Sequence, residues 1–347
     1  MKRLSILIPL FFFFVFGIAS SSSAQKKAYN LRLFSAGEGS MTYASMSGLV
    51  ALVKRHKPEI WADIACIPSQ GPYAGFRAIE KGEGEGTYSN VPQMIELWTN
   101  IGPLAKRPIP PNKKALIGIA LWEHQNFIIT RANRDDIKSL KDLEGKNITY
   151  SLPGSTTEKI GSEIHAKLGV KSKVRPMELD AISDALRAGM IDATWAYVLS
   201  DIALPGWLKD LELRLDVKIV PLSEKEVATA AEKVAGLAPI LVPLNSFTQR
   251  MKGPASIWTA GLGQFWVLSP DLPEEAVYEM CEGLYVNRKA VTGIYAGHWK
   301  FEKDPFGLQE KHLDVANRAK MLLHPGVAKW LKKHGAWKDR WNAMLPK

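Results

Sequence analysis

The sequence predicts an α/β fold of two lobes. Each lobe is built on a mostly parallel sheet with helices on both faces, and strands cross from one lobe to the other. Three observations carry this expectation. Short strand-like runs alternate with helix-like runs through most of the chain. Two apolar runs, ALIGIAL (115–121) and WTAGLGQFWVL (258–268), are placed to leave one β-α unit and enter another. Two stretches of the same local design, FSAGEGSMTY (34–43) and LPGSTTE (152–158), stand far apart in the chain, one in each expected lobe.

The chain opens on Met1, Lys2 and Arg3, then runs almost wholly apolar over 4–18 and small and polar over 19–24. A basic start, an apolar core and the small-x-small ending Ser22-Ser23-Ala24 describe a secretory leader. The core is shorter than the roughly 20 residues of a membrane span. Residues 1–24 are therefore read as a signal peptide, with the exported chain beginning near Gln25. What remains is long enough for two domains, each with its own core. Lobe I is assigned 25–121 and 257–347, and lobe II 122–256.

In chain order, 31–35 is the first strand. A helix follows, with Tyr43, Met46, Leu49, Val50 and Val53 on one face. Residues 61–68 are a strand, 73–80 a short helix, 82–86 a turn, and 87–91 lead into another helix. Rich in Pro, Lys and Asn, 102–114 reads as an exposed loop. Two strand-like runs, 115–121 and 127–130, flank Trp122-Glu123-His124-Gln125-Asn126, the pattern of a strand crossing a joint. A second unit follows: strand 147–151, helix 155–168 stopped by Gly169, strand 174–179, helix 182–188 and strand 193–198. A helix at 225–234 leads to an apolar run at 238–242. The second crossing is expected near Trp258, as the first is near Leu121. Helices at 273–287 and 315–334 close lobe I.

The net charge is +10, of which two charges lie in the leader. Basic residues are scattered and not interleaved with aromatics, which excludes a nucleic-acid surface. A mild positive bias suits an anionic ligand or an anionic membrane partner. Cys66 and Cys281 are the only cysteines. They read as buried small apolar residues, since a disulfide scaffold carries many more. The histidines show no metal-ligand spacing, and H-E-x-x-H, C-x-x-C and G-x-S-x-G are absent from the sequence. Neither a metal nor a cofactor is expected, and the protein is not read as an enzyme. For an exported enzyme, Cys66 and His124 are the only candidates. His124 is otherwise a hydrogen-bonded joint residue, and His324, before Pro325, a turn residue.

The two glycine turns carry the functional reading. A helix N-terminus has unpaired N–H groups and a partial positive charge, so it attracts anions. In open α/β sheets such turns lie at the carboxyl ends of strands, where ligands bind. FSAGEGSMTY lacks the Gly-Lys-Ser/Thr ending of a phosphate loop and the spacing of a dinucleotide fingerprint. Ser155 to Glu158 also spells a capping box, which explains Ser and Glu without any ligand; Thr156 and Thr157 add hydroxyls beyond it. Two such helix ends facing each other across a cleft would grip a small anion from both sides.

The chain resembles the TAXI class of substrate-binding proteins of TRAP transporters over essentially its whole length after the leader. The residues that carry this are Ala36-Gly37-Glu38-Gly39-Ser40-Met41-Thr42-Tyr43, Ser69-Gln70-Gly71-Pro72-Tyr73, Gly82-Glu83 with Asn90, and SLKDLEGK (139–146). Further along come Pro153-Gly154-Ser155-Thr156-Thr157-Glu158, Ile191-Asp192-Ala193 with Trp195, LPEEAVY (272–278) and Leu323-His324-Pro325-Gly326. Their shared order makes the likeness. It implies the two-lobe periplasmic binding protein type II fold with a ligand cleft between the lobes. It also implies capture of a small organic acid, docking on TRAP membrane subunits, and a monomer. Glu38, Met41 and Pro72-Tyr73 depart from the family pattern and add bulk and acid. Glu38 either points to solvent or selects a ligand with a positive or donor group.

The residues expected at the site have separate roles. Gly39, Ser40, Met41 and Thr42, with the nearby amides, hold one end of the anion, and Ser155, Thr156 and Thr157 hold the other. Tyr43, Tyr73, Trp122, Trp195 and Tyr197 form an apolar wall. Gln70 and Asn90, with Gly71 beside them, supply neutral hydrogen bonds. Other readings stay open: a binding protein of an ABC importer for an aromatic or sulfonated solute, or a sensor that docks on a membrane kinase.

Overall fold

The structure is a computed structural model and describes residues 28–346 apart from Gly39 and Leu152. The expected leader lies outside these residues. The first unit runs β1 (Tyr29–Phe34), α1 (Met41–His56), β2 (Trp61–Ile67), α2 (Pro72–Lys81), β3 (Gly86–Ser89) and α3 (Val91–Thr99). Its helix starts are capped by its own sequence. Ser40 accepts from the Tyr43 amide, Asn90 accepts from the Gln93 amide, and Pro stands in the first turn of α2 and α3. Gly71, at φ 101°, makes the turn into α2 that a side chain would strain.

β4 (Leu116–Arg131) then crosses into the second unit: β5 (Asn147–Thr149), α4 (Thr156–Leu168), β6 (Lys173–Val174), α5 (Ile182–Arg187) and β7 (Ala193–Leu199). After it come α6 (Gly206–Arg214), β8 (Val217–Val220), α7 (Glu224–Ala231) and β9 (Ala238–Pro243). β10 (Ser256–Leu268) returns, followed by α8 (Glu274–Val286), α9 (Val291–Ile294), α10 (Trp299–Lys303), α11 (Pro305–Arg318) and α12 (Pro325–Lys333).

One sheet runs through the molecule in the order β2-β1-β3-β10-β4-β7-β5-β6, with β8 on β4 and β9 on β10. Each wing has the same plan: the third strand of its unit lies next to a crossing strand, the first comes next, and the second is at the edge. Strands are parallel within the wings and antiparallel where β3, β10, β4 and β7 meet. The sheet is thus parallel only in its wings, because the crossing strands reverse direction at its centre. The apolar core divides accordingly. One cluster joins β1, α1, α2 and α3 to the first half of β4, the end of β10 and helices α8, α11 and α12. Two further clusters cover the two faces of the second wing.

The two runs around Trp122 to Asn126 are one continuous strand, as expected of a strand that crosses a joint, held by ladders to β10 and β7 through five consecutive buried residues of mixed polarity. Three expectations are corrected. The strand expected at 174–179 is reduced to Lys173–Val174; Pro176 follows at once and cannot supply a ladder N–H. The helix expected at 315–334 is two helices, broken where Leu323 bridges to Ile117 and takes the Met344 carbonyl. Finally, Ser256–Gly261 of β10 pair with β9, Trp258 also bridges to Leu222, and Ile257, Ala260 and Leu262 pack in the second wing. The return crossing therefore sits near Gln264, further along than Trp258. Cys66 and Cys281 are free thiols, Cys281 fully buried in α8. Among the described residues no helix is long and apolar enough to cross a membrane.

Candidate functional site

The site grows from the two crossing strands. In a strand successive side chains point to opposite faces. Trp122, His124 and Asn126 of β4 therefore share one face, with Gln264 opposite Trp122 and Leu262 opposite His124 on β10. Tyr197 of β7 lies opposite Asn126 and stacks on the His124 ring at 4.4 Å between centroids. Beyond His124 the ladder between β4 and β10 ends, and Asn126 bridges the gap by donating Nδ2 to the Ala260 carbonyl at 3.1 Å.

Helix starts from both wings close over this face. At the head of α4, Thr156 is buried, and its Oγ1 accepts from Asn90 Nδ2 (3.3 Å) at the head of α3 and from Gln264 Nε2 (3.4 Å). Gln93 Nε2 reaches the Gly154 carbonyl at 3.5 Å. At the edge, Lys159 of α4 pairs with Glu96 of α3 at 2.5 Å, and the Tyr73 hydroxyl donates to the other Glu96 oxygen. Burial, the Glu96 bond and the nearby carboxylates push the Tyr73 phenol well above its ordinary range. Burial pushes His124 down to about 3, so it is neutral in this setting. Tyr197 is raised to about 12 by the same cause.

The opposite face of the hinge is an ion cluster. Glu123 is fully buried and is met by Lys300 at 2.5 Å, by Lys311, and by His312 at 3.3 Å. Burial alone would raise the Glu123 carboxyl, but the His312 bond and the two lysines outweigh it and hold it ionised. Gln125 and Lys300 both reach Asp201, and Trp299 donates to the Ser200 carbonyl at 2.5 Å. The back of β4 is thus tied to α10 and α11.

The structure sorts the expected site residues into four groups. Asn90, Thr156, Trp122 and Tyr197 come together at the crossing strands, with Thr157 buried beside Thr156 and Tyr73 at the edge. Ser40 and Ser155 serve as helix caps, accepting from the Tyr43 and Glu158 amides at 3.1 Å each. The capping box at Ser155 is only half made, because Glu158 turns its carboxylate to the Gly154 amide. Met41, Thr42 and Tyr43 form the half-buried first turn of α1, and Gly71 is buried at the start of α2. Two residues lie elsewhere. Trp195 is in the core under α4, with its indole N–H held by His165 at 3.2 Å, and Gln70 is exposed. Gly39 is outside the described residues. Glu38 is exposed at its turn.

Sequence reasoning missed Gln93, Asn126 and Gln264, and left His124 open. A signal was present: a run of polar residues inside a strand otherwise apolar, and one lone glutamine in WTAGLGQFWVL. Buried polar side chains need partners, so such a run marks a built site. Among the described residues no group of His, Cys, Asp and Glu is arranged to hold a metal ion.

The sequence profile of the NMT1-like family matches residues 33–335. The chain belongs to the NMT1-like family. Its fold is the two-lobe type II arrangement. ArtP, an arginine-binding extracellular protein of Bacillus subtilis (strain 168), is 30% identical over 124 residues, which are 36% of this chain and 46% of ArtP. The chain thus spans about half the length of that curated relative. Similar solved structures include XAC2383 from Xanthomonas citri bound to chloride ion (TM-score 0.49, 10% identity, 84% of this chain and 98% of that one). Another is the periplasmic aliphatic sulphonate binding protein SsuA from Escherichia coli (TM-score 0.46, 15% identity, 92% and 95%).

Proposed function

We propose that this member of the NMT1-like family is an extracytoplasmic solute-binding protein. It captures a small organic anion, a carboxylate, in the cleft between the lobes and delivers it to membrane transport subunits. One observation carries the reading: Thr156, on the first turn of α4, meets Asn90 of the other wing and Gln264 of the crossing strand in a single hydrogen-bonded knot. The start of a helix, its hydroxyls and polar side chains from both wings converge there, which is the chemistry an anion requires.

The lobes are taken as 25–121 with the chain after the return crossing, and the segment between. Amides at the heads of α1 and α4, with Thr42, Thr156 and Thr157, hold the carboxylate. Tyr43, Tyr73, Trp122 and Tyr197 cover its apolar part. Both lobes contact the ligand only when shut, so ligand binding selects the closed form. A thermal-shift screen of organic, amino and aromatic acids tests this, since a ligand that binds only the folded state raises the midpoint. No shift with any of them contradicts the reading.

TRAP membrane subunits are the proposed recipients, on the TAXI resemblance. The stretch shared with ArtP favours a second reading, an amino acid delivered to an ATP-driven importer. Uptake driven by an ion gradient in reconstituted vesicles supports the first; uptake that needs ATP supports the second.

A further inference from the structure

The face of β4 and β10 under α4 carries acceptors that a carboxylate does not use. Asn126 is fully buried, and the orientation of its amide is fixed. Its Nδ2 donates to the Ala260 carbonyl, which can only accept. Its Oδ1 is therefore an acceptor, and it makes no hydrogen bond within the chain. Gln264 is 1% exposed; it gives its Nε2 to Thr156 and leaves Oε1 without a partner. His124 Nδ1, on the same face between them, also lacks a partner, and it accepts or donates according to the ring tautomer.

Other buried polar atoms without partners are spread over the described residues, and some face a charge close by. His56 lies 3.3 Å from Glu279, and His312 lies 3.3 Å from Glu123. On the crossing strands Trp266 Nε1 is a donor buried in the core of the first wing, whereas Asn126, His124 and Gln264 form one row on one face. Buried polar groups without partners are costly to fold, so such a row is built for a group that donates. Charge narrows the choice. Glu123 points to the opposite face, among its lysines, and Glu96 is engaged by Lys159 and Tyr73. A buried ammonium on the row would lack the carboxylate that offsets its desolvation.

We propose that Asn126 Oδ1 and Gln264 Oε1, with His124 between them, form a second subsite that recognises a neutral hydrogen-bond donor on the ligand. The ligand class is then a small carboxylic acid that also carries an amide N–H or a hydroxyl. This rests on the cleft being the ligand site. The carboxylate sits at the helix starts, and the donor group reaches down to the crossing strands. An analogue without the donor leaves both oxygens unpaired, and that is what rejects it. His124 keeps the row uncharged at neutral pH.

Calorimetry on the full exported chain with matched pairs tests this: lactate against propionate, succinamate against monomethyl succinate, and 4-hydroxybenzoate against 4-methylbenzoate, with β-alanine as the ammonium probe. The expected result is that, in the series the cleft accepts, the donor-bearing member binds at least tenfold tighter, and that Asn126→Ala removes this preference. Asn126 also bridges β4 to β10, so Gln264→Met is the second variant and reduces the preference without touching that bridge. Equal binding within a pair, a preference kept in both variants, or tightest binding by β-alanine overturns the subsite while leaving the carboxylate reading in place. Failure of every probe to bind contradicts both.

Discussion

Buried histidines make the stability of this protein depend on pH. Burial pushes His165, His298 and His324 down to about 4 and His124 to about 3, from an ordinary 6.5. As pH falls through about 6.5 the unfolded chain takes up protons that the folded chain refuses until about 4. Stability is therefore lost on acidification across that window and regained as pH rises. The thermal midpoint should be lower at pH 5 than at pH 7.5, and an equal midpoint would contradict the burial of these rings. Glu123 makes a second case. Its removal leaves Lys311 and His312 without this carboxylate and Lys300 with Asp201 alone. Glu123→Ala should cost about 3–5 kcal/mol of folding free energy in a urea titration, because breaking a buried pair strands the other charge. The sequence located Glu123 and His124 at the joint but gave neither a role. Strand periodicity tells which residues share a face, and it does not tell which face meets lysines and which meets a cleft.

Among strands and helices, β4 and β10 set the geometry. The sequence placed most of the alternating strands and helices in order, and it put the return crossing too early on β10. It failed where long-range contacts decide. The polar run at Trp122 to Asn126 read as a strand crossing a joint, but the sequence does not show how its side chains are met from both faces. The break before α12 depends on Leu323 reaching Ile117, a contact no local pattern contains. The pair between α3 and α4, Glu96 with Lys159, closes the edge of the cleft. Glu96 is largely buried, so the pair is worth more than an exposed one, which contributes about 0–1 kcal/mol. Lys159→Met should speed ligand release severalfold in stopped-flow measurements and make the release rate less sensitive to salt. An unchanged rate would mean that the pair does not hold the closed form.

Between the lobes, the cleft was only partly readable in the sequence. Thr156 was read from helix-start chemistry, which is local, and Asn90 from the TAXI resemblance; the two meet at the heads of α4 and α3. Gln93, Asn126 and Gln264 were not read, because they act through neighbours distant in the chain. Trp195 shows the converse: a strand-end aromatic that packs beneath α4 and bonds to His165. The free cysteines lie on β2 and α8. The melting curve should be the same with and without reductant, and a shift would reveal a pairing that this geometry lacks.

Titration of the wild-type chain and of Thr156→Ala with the carboxylate that gives the largest thermal shift, followed by calorimetry, bears on the cleft most directly. The wild type should bind at one site. The substitution removes a hydroxyl at the centre of the knot, and a hydrogen bond to a charged group contributes about 1.5–3 kcal/mol, so affinity should fall roughly tenfold to a hundredfold. Thr42→Ala, at the other helix start, should weaken binding as well. Affinity unchanged in both variants would place the ligand elsewhere and contradict the cleft between the crossing strands as the site.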